Sequence, residues 1–134
     1  MFKWLEPLFI AQVLVCAFFA ACFIQSGFDK IFDWKGNLDW IQGHFAKTPF
    51  AKFVPLLLFK ITVIEVGAGL VCAVGVVGMF IEGWEKIAGL GIGLACLALL
   101  MLFTGQRFAK DYVGAHVLAT YFGVAILGLY LHSI

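Results

Sequence analysis

The stretch ITVIEVGAGLVCAVGVVGMFI, residues 61–81, decides the fold of this chain. It holds one charged side chain, Glu65, and is otherwise almost entirely apolar and rich in glycine. A helix needs about 20 residues to cross a hydrocarbon core about 30 Å thick. The apolar segment begins near residue 53, so the sequence predicts a transmembrane helix over 53–81.

Three further windows are comparably long and apolar, and they predict transmembrane helices over 7–25, 87–104 and 113–132. Together the four spans predict an all-α polytopic membrane protein, a four-transmembrane-helix bundle forming one membrane domain over residues 1–134. Glycines along the 53–81 span indicate close packing, because small residues let helix backbones approach one another in lipid.

The composition supports the same fold class. Hydrophobic residues make up 63% of the 134 residues and charged residues 13%, whereas an ordinary soluble domain has about 25% charged residues. The four spans leave no room for a separate catalytic domain, so any chemistry lies in the bundle or in a partner. Whether the protein is an enzyme stays open, and the isolated chain is expected not to be one. With a formal net charge of +1, it has no electrostatic basis for binding nucleic acid.

The first span has an alternative interpretation as a secretory signal, because Lys3 precedes an apolar run that contains Phe19-Ala20-Ala21. Phe19 is not the small aliphatic residue that such a cleavage site favours, and the apolar run continues to Ile24. We therefore favour a helix that is retained in the membrane.

Residues 28–50 mix aromatic and charged side chains, a pattern typical of the lipid headgroup region. Asn37 is a plausible N-cap for a short helix that places Leu38, Ile41 and Phe45 on one face and ends before Pro49. The sequence thus predicts a short interfacial helix between transmembrane helices 1 and 2.

Polar side chains gather at one end of the predicted bundle, where helix 1 ends, helix 2 begins, helix 3 ends and helix 4 begins. The opposite end holds boundary residues and little else. The candidates for ligand or proton handling are Glu65, Lys30, Arg107, His116, Tyr112 and Asp111.

Glu65 is the deepest of these candidates and needs a partner, because an unpaired carboxylate in the hydrocarbon costs about 2–3 kcal/mol. Lys60 lies five residues earlier, about 140° around the helix axis, and is badly placed. Lys30 or Arg107, arriving from a neighbouring helix, is better placed. Such a pair either takes part in ligand or proton handling or simply docks two helices, and the sequence leaves both open.

His116 lies one turn beyond Tyr112 and one turn before Thr120, so these three residues form a polar stripe on helix 4. His116 is a candidate for relaying a proton or bonding a ligand, with a purely structural hydrogen bond as the alternative. Arg107 and Asp111 would form an i, i+4 pair if the third loop were helical.

Several cofactor sites are disfavoured by spacing. Only His116 lies well inside a span, with His132 at the very end of one and His44 in a loop, which is not enough for bis-histidine haem ligation. The four cysteines fall in apolar spans without a CxxC pair, so we interpret them as packing residues. We expect no metal site and no intrinsic cofactor.

Three motifs together resemble the DoxX family of small four-helix bacterial membrane proteins, across essentially the whole chain. They are Ser26-Gly27-Phe28-Asp29-Lys30, Glu65 followed by glycines, and the run from Gly105 to Ala115. The resemblance implies a multi-pass protein of the bacterial inner membrane, in contact with the lipid bilayer and with other subunits of a membrane complex linked to quinone or respiratory redox chemistry. It leaves quinone or lipid as the candidate ligand, and a homo-oligomer as a possibility.

The orientation in the membrane has two conflicting signals. Lysines and arginine in the first and third loops favour these loops inside and both termini outside the cytoplasm. The family resemblance implies cytoplasmic termini instead. The sequence leaves the orientation open.

Three functions are compatible with this sequence. The first is a DoxX-like subunit in which Glu65, with Lys30 or Arg107, forms a polar pocket lined by His116 and Tyr112. The second is a non-catalytic scaffold subunit that stabilises a membrane complex. The third is a small proton-coupled carrier, which is disfavoured because no second polar cluster is evident at the opposite end.

Overall fold

The computed structural model describes residues 3–134, which form five α-helices and two short 3₁₀ turns, with no β-strand. The α-helices are α1 (Pro7–Phe32), α2 (Trp34–His44), α3 (Val54–Gly78), α4 (Lys86–Phe108) and α5 (Tyr112–Leu131). The 3₁₀ turns, Lys3–Leu5 and Ala51–Phe53, precede α1 and α3. Four of these helices, α1, α3, α4 and α5, are long and apolar enough to cross a membrane. The predicted all-α four-helix architecture is confirmed.

The helix α1 continues to Phe32, well beyond the predicted end at residue 25. The polar residues after Gln25 predict the start of a loop. In the structure, Ser26 and Lys30 lie one turn apart on the side of α1 that faces α3 and bond to a residue of α3. Their polar groups are therefore satisfied within the bundle, and the helix does not need to end.

The predicted short helix between the first two spans exists as α2, but it begins earlier than expected. Asp33 occupies the N-cap position, and the Asn37 side chain donates to the Asp33 carbonyl oxygen at 2.9 Å. Asn37 is therefore inside the helix and does not cap it. Leu38 and Ile41 pack against the core, as their shared face suggests, although α2 buries none of its residues fully.

The helix α3 is central: it packs against α1 on one side and α4 on the other, and α5 packs mainly on α4. Two glycines make these contacts close. A Cβ at Gly69 would lie 2.7 Å from the Ile24 backbone nitrogen, and one at Gly75 would lie 2.6 Å from Ala88 Cα. No larger residue fits at either position without moving a helix.

The chain reverses between α4 and α5 over three residues, 109–111. Lys110 adopts the left-handed conformation with φ 61°, and the Asp111 N–H donates to the Gln106 carbonyl oxygen at 3.0 Å. Asp111 then caps α5, with Oδ1 accepting from the Gly114 N–H at 3.0 Å. This tight reversal fixes the carboxylate of Asp111 at the end of the bundle where α1 and α4 finish and α3 begins.

Candidate functional site

The most buried ionisable group of the site is Glu65, on the inner face of α3 and 1% exposed. Its Oε2 accepts from Lys30 Nζ at 2.9 Å and from Ser26 Oγ at 3.0 Å. Lys30 Nζ also donates to Ser26 Oγ at 2.9 Å. Glu65, Lys30 and Ser26 thus form a closed triad, the Glu65 triad, that joins α1 to α3.

Lys30 is therefore the ion-pair partner of Glu65. Arg107, the other expected partner, is exposed, and its guanidinium lies over the Tyr112 ring at 4.8 Å from the ring centre. Ser26 went unrecognised in the sequence as part of this site. Its i, i+4 spacing to Lys30 was the available signal, since that spacing places two side chains on one face of a helix.

A second polar group forms where α2 meets the end of α4. His44 Nε2 donates to Gln106 Oε1 at 2.6 Å and lies 3.7 Å from Asp111 Oδ2. The Trp40 ring stacks on the His44 ring at 4.8 Å with an interplanar angle of 15°. We name His44, Gln106 and Asp111 the His44 cluster; it connects the interfacial helix to the transmembrane bundle.

His44 was not among the sequence candidates because it lies in the segment between two spans. Nothing in the local sequence shows that the end of α2 comes within hydrogen-bond distance of α4. The spacing of His44 from Trp40, one helical turn, does indicate that the two rings share a face of the helix.

Between the Glu65 triad and the His44 cluster lies a cavity of about 570 Å³, within the size range of about 300–1,000 Å³ typical of small-molecule sites. Most of its wall is apolar and comes from α2, α3 and α4. Lys30 lines it from α1, and His44 and Gln106 line it from the other cluster. The apolar wall includes Ile41, Val54, Leu57, Leu58, Ile61, Met101 and Leu118.

The remaining sequence candidates lie outside this cavity. Tyr112, His116 and Thr120 do form a stripe on α5, but all three are exposed on the outside of the bundle. The expectation that His116 and Tyr112 line the pocket of Glu65 is therefore wrong. The spacing showed which residues share a face and gave no information on which way that face points.

The expected i, i+4 pair of Arg107 and Asp111 does not form either. Arg107 belongs to the last turn of α4, whereas Asp111 lies beyond the left-handed Lys110. The helical geometry that such a pair requires ends before Asp111 is reached. Arg107 stacks on Tyr112, and Asp111 caps α5 and faces His44.

The opposite end of the bundle also carries a polar group, contrary to expectation. Gln12 Nε2 donates to the Leu131 carbonyl oxygen at 2.7 Å, and His132 Nε2 donates to the Gln12 carbonyl oxygen at 3.1 Å. A cleft of about 430 Å³ lies beside them, lined also by Glu85 and Lys86. Burial lowers the pKa of His132, against the opposing effect of its hydrogen bond to Gln12.

The four cysteines are free, and two of them meet in the core. Cys16 Sγ donates to the Cys72 carbonyl oxygen at 3.1 Å, where α1 crosses α3, and both residues are fully buried. Over residues 3–134, no group of three His, Cys, Asp or Glu side chains is placed to hold a metal ion.

Four membrane-length helices define the class: a multi-pass helical membrane protein, here with an apolar cavity that has polar edges. No family model, no curated protein and no solved structure matches the chain. Its function is therefore argued from the site.

Proposed function

We propose that this chain is a DoxX-like integral subunit of a larger complex in the bacterial inner membrane and that it holds a membrane-soluble amphiphile of the quinone class. The observation that carries the proposal is the 570 Å³ cavity beneath α2. The chain binds and positions the molecule, and any electron transfer belongs to a partner subunit that carries a redox cofactor.

The cavity suits an apolar ring or chain with a polar end. Leu57, Leu58 and Ile61 of α3 supply one apolar wall, and Met101 of α4 supplies part of another. Ligand sites of this kind are mostly apolar, with a few polar groups that fix the orientation of the ligand. Gln106 and Trp40, which both line the cavity, carry neutral N–H donors that suit a ligand carbonyl.

A bound quinone can be tested by filling the cavity. Leu57 lines it, whereas the neighbouring Leu56 is exposed and does not. The protein, with any subunits that copurify, is extracted with organic solvent and its quinone content is measured by chromatography. We expect Leu57→Trp to lose the bound quinone, and the control Leu56→Trp to keep it, at equal protein yield. Equal quinone content in the two variants, or none in the native protein, contradicts the proposal.

A scaffold function is the second candidate, and the Glu65 triad favours it, because the same contacts would dock α1 on α3 without any ligand. It predicts that Glu65→Gln lowers the yield of the complex while the quinone content per complex stays the same.

The carrier hypothesis gains the polar group that it lacked at the opposite end, namely Gln12 and His132. The two ends are nevertheless separated by residues with no exposed surface. These are Cys16, Ala68, Cys72, Ile92 and Ala95. We rank the carrier below the other two functions, and absence of substrate or proton flux in liposomes would exclude it.

A further inference from the structure

The two ionisable residues that line the cavity, Lys30 and His44, are each faced by a carboxylate placed just behind them. Lys30 is paired with Glu65 at 2.9 Å, and His44 lies 3.7 Å from Asp111. Neither Glu65 nor Asp111 is among the residues that line the cavity. The cavity is thus bordered by two basic side chains, each with a carboxylate behind it that does not line the cavity.

The ammonium group of Lys30 also has its donors engaged. An ammonium carries three N–H bonds, and Lys30 Nζ has three acceptors in reach: Glu65 Oε2 at 2.9 Å, Ser26 Oγ at 2.9 Å and the Ser26 carbonyl oxygen at 3.5 Å. An anionic headgroup entering the cavity would have to break this arrangement before Lys30 could bind it.

From these contacts we infer that Glu65 and Asp111 are specificity-determining residues, which make the cavity select an amphiphile with an uncharged, hydrogen-bonding headgroup over one with an anionic headgroup. This inference rests on the proposed function, since it concerns the ligand of the same cavity. Gln106 and Trp40 bind an ester or ketone oxygen as neutral donors, while the pairing of Lys30 with Glu65 leaves no free positive charge there to attract a fatty acid or phospholipid headgroup.

Removing the carboxylate of Glu65 should reverse the preference of the cavity for an uncharged headgroup over an anionic one. In Glu65→Gln, Lys30 keeps its charge and loses its counter-ion, at the edge of an apolar cavity where an unbalanced charge interacts strongly. Binding of an anionic amphiphile should then strengthen by about ten- to hundredfold, the usual scale of one hydrogen bond to a charged group. Binding of the neutral amphiphile should change much less.

Trp40 gives a direct readout, because it lines the cavity and bromine atoms on a bound chain quench tryptophan fluorescence. Two brominated alkyl probes with the same chain are titrated into the full-length protein in a neutral detergent, one ending in a methyl ester and the other in a sulfonate. Trp40→Phe keeps a ring to stack on His44 and identifies the part of the signal that comes from the cavity.

We expect the native protein to bind the ester more tightly than the sulfonate, Glu65→Gln to reverse the order, and the double variant Lys30→Gln with Glu65→Gln to restore it. The double variant separates an effect of charge from an effect of folding. It lacks the ion pair, as Glu65→Gln does, but it also lacks the unbalanced charge of Lys30. If the sulfonate binds the native protein as tightly as the ester, or if Glu65→Gln leaves the order unchanged, the inference is overturned while cavity binding stands. If neither probe quenches Trp40, the proposed function fails with it.

Discussion

Glu65 illustrates what one buried carboxylate demands of its surroundings. It is 1% exposed, and its ion-pair partner Lys30 keeps only 14% of its side-chain exposure. Taking both charges out of water is costly, and the pair persists because Ser26 supplies further hydrogen bonds to both partners. The stability of this end of the bundle therefore depends on keeping the triad complete.

We expect Lys30→Met to destabilise the protein by about 3 kcal/mol, because it leaves Glu65 buried and without its counter-ion. The double variant Lys30→Met with Glu65→Leu should recover most of that loss, since apolar side chains of similar size often replace a buried ion pair at little cost. Unfolding in detergent, followed by circular dichroism over a double-mutant cycle, measures the coupling. Additive effects of the two substitutions would show that the pair is not coupled.

His132 should make stability depend on pH at the opposite end of the bundle. Burial lowers its pKa below the ordinary value of 6.5, so the unfolded state takes up a proton first as the pH falls. The stability due to neutral His132 is fully present above about pH 6.5 and is lost as the pH falls from there to the lowered folded-state pKa.

The measurement compares the native protein with His132→Gln by thermal unfolding from pH 8 to pH 5. In the acidic half of that range, the native protein should lose the higher thermal stability that it has over the variant. Because the two proteins differ only at residue 132, contributions from the rest of the chain cancel in the difference. A difference that stays constant with pH, or grows on acidification, would contradict the assignment.

The sequence could predict part of the site at this scale. A carboxylate within an apolar span requires a partner wherever the chain folds, so Glu65 and the short set of candidate cations could be found without a structure. The choice between Lys30 and Arg107 depends on how the helices are rotated about their axes. The same missing information led to the wrong placement of His116, whose face of α5 points away from the cavity.

At the scale of the helices, α3 shows how glycine position decides packing. A Cβ at Gly69 would lie 2.7 Å from the Ile24 backbone nitrogen, whereas one at Gly67 would have no atom within 4 Å. The two residues are two positions apart on one helix, so they form a matched pair with nearly the same depth in the bundle.

We expect Gly69→Ala to destabilise the bundle by about 1–3 kcal/mol, the usual cost of overpacking a close contact. Gly67→Ala should be neutral or stabilising by up to about 1 kcal/mol, because alanine is the better helix former. The stabilities of the two variants are compared by thermal unfolding in the same detergent. Equal effects of the two substitutions would mean that α1 and α3 do not meet closely at Gly69.

Helix limits were predicted less well than helix number, and α1 shows why. Polarity was used to mark the membrane boundary near residue 25, but a helix continues as long as its backbone bonds are made and its polar side chains find partners. Ser26 and Lys30 find them on α3. The apolar spans themselves were predictable because length and composition alone set them.

At the scale of the whole molecule, four crossings require that α2 and the α4–α5 connection lie on one side of the membrane and the α3–α4 connection on the other. Single cysteines introduced at Lys35, Lys110 and Lys86, all of them exposed, test this. In intact bacteria, a membrane-impermeant maleimide should label positions 35 and 110 together and position 86 only after the cells are opened, or the reverse.

The native protein, whose four cysteines lie in the helices, serves as the blank. Either pattern of labelling also settles the orientation, which the loop lysines and the family resemblance assign in opposite ways. Labelling of positions 35 and 86 from the same side would contradict four crossings.

The cavity itself could not be predicted from the sequence. Its apolar walls come mainly from residues of α2, α3 and α4 that are far apart in the chain, and each of these apolar residues alone is ordinary. One hydrogen bond, between His44 of α2 and Gln106 of α4, joins two of these walls.

Because α2 buries none of its residues fully, it is held less firmly than the four long helices. Segments with few buried contacts open locally at a small fraction of the free energy of global unfolding. Amide hydrogens of α2 should therefore exchange with solvent far sooner than those of α3. If an amphiphile occupies the cavity, α2 is therefore the wall that can move aside most easily for its entry and exit.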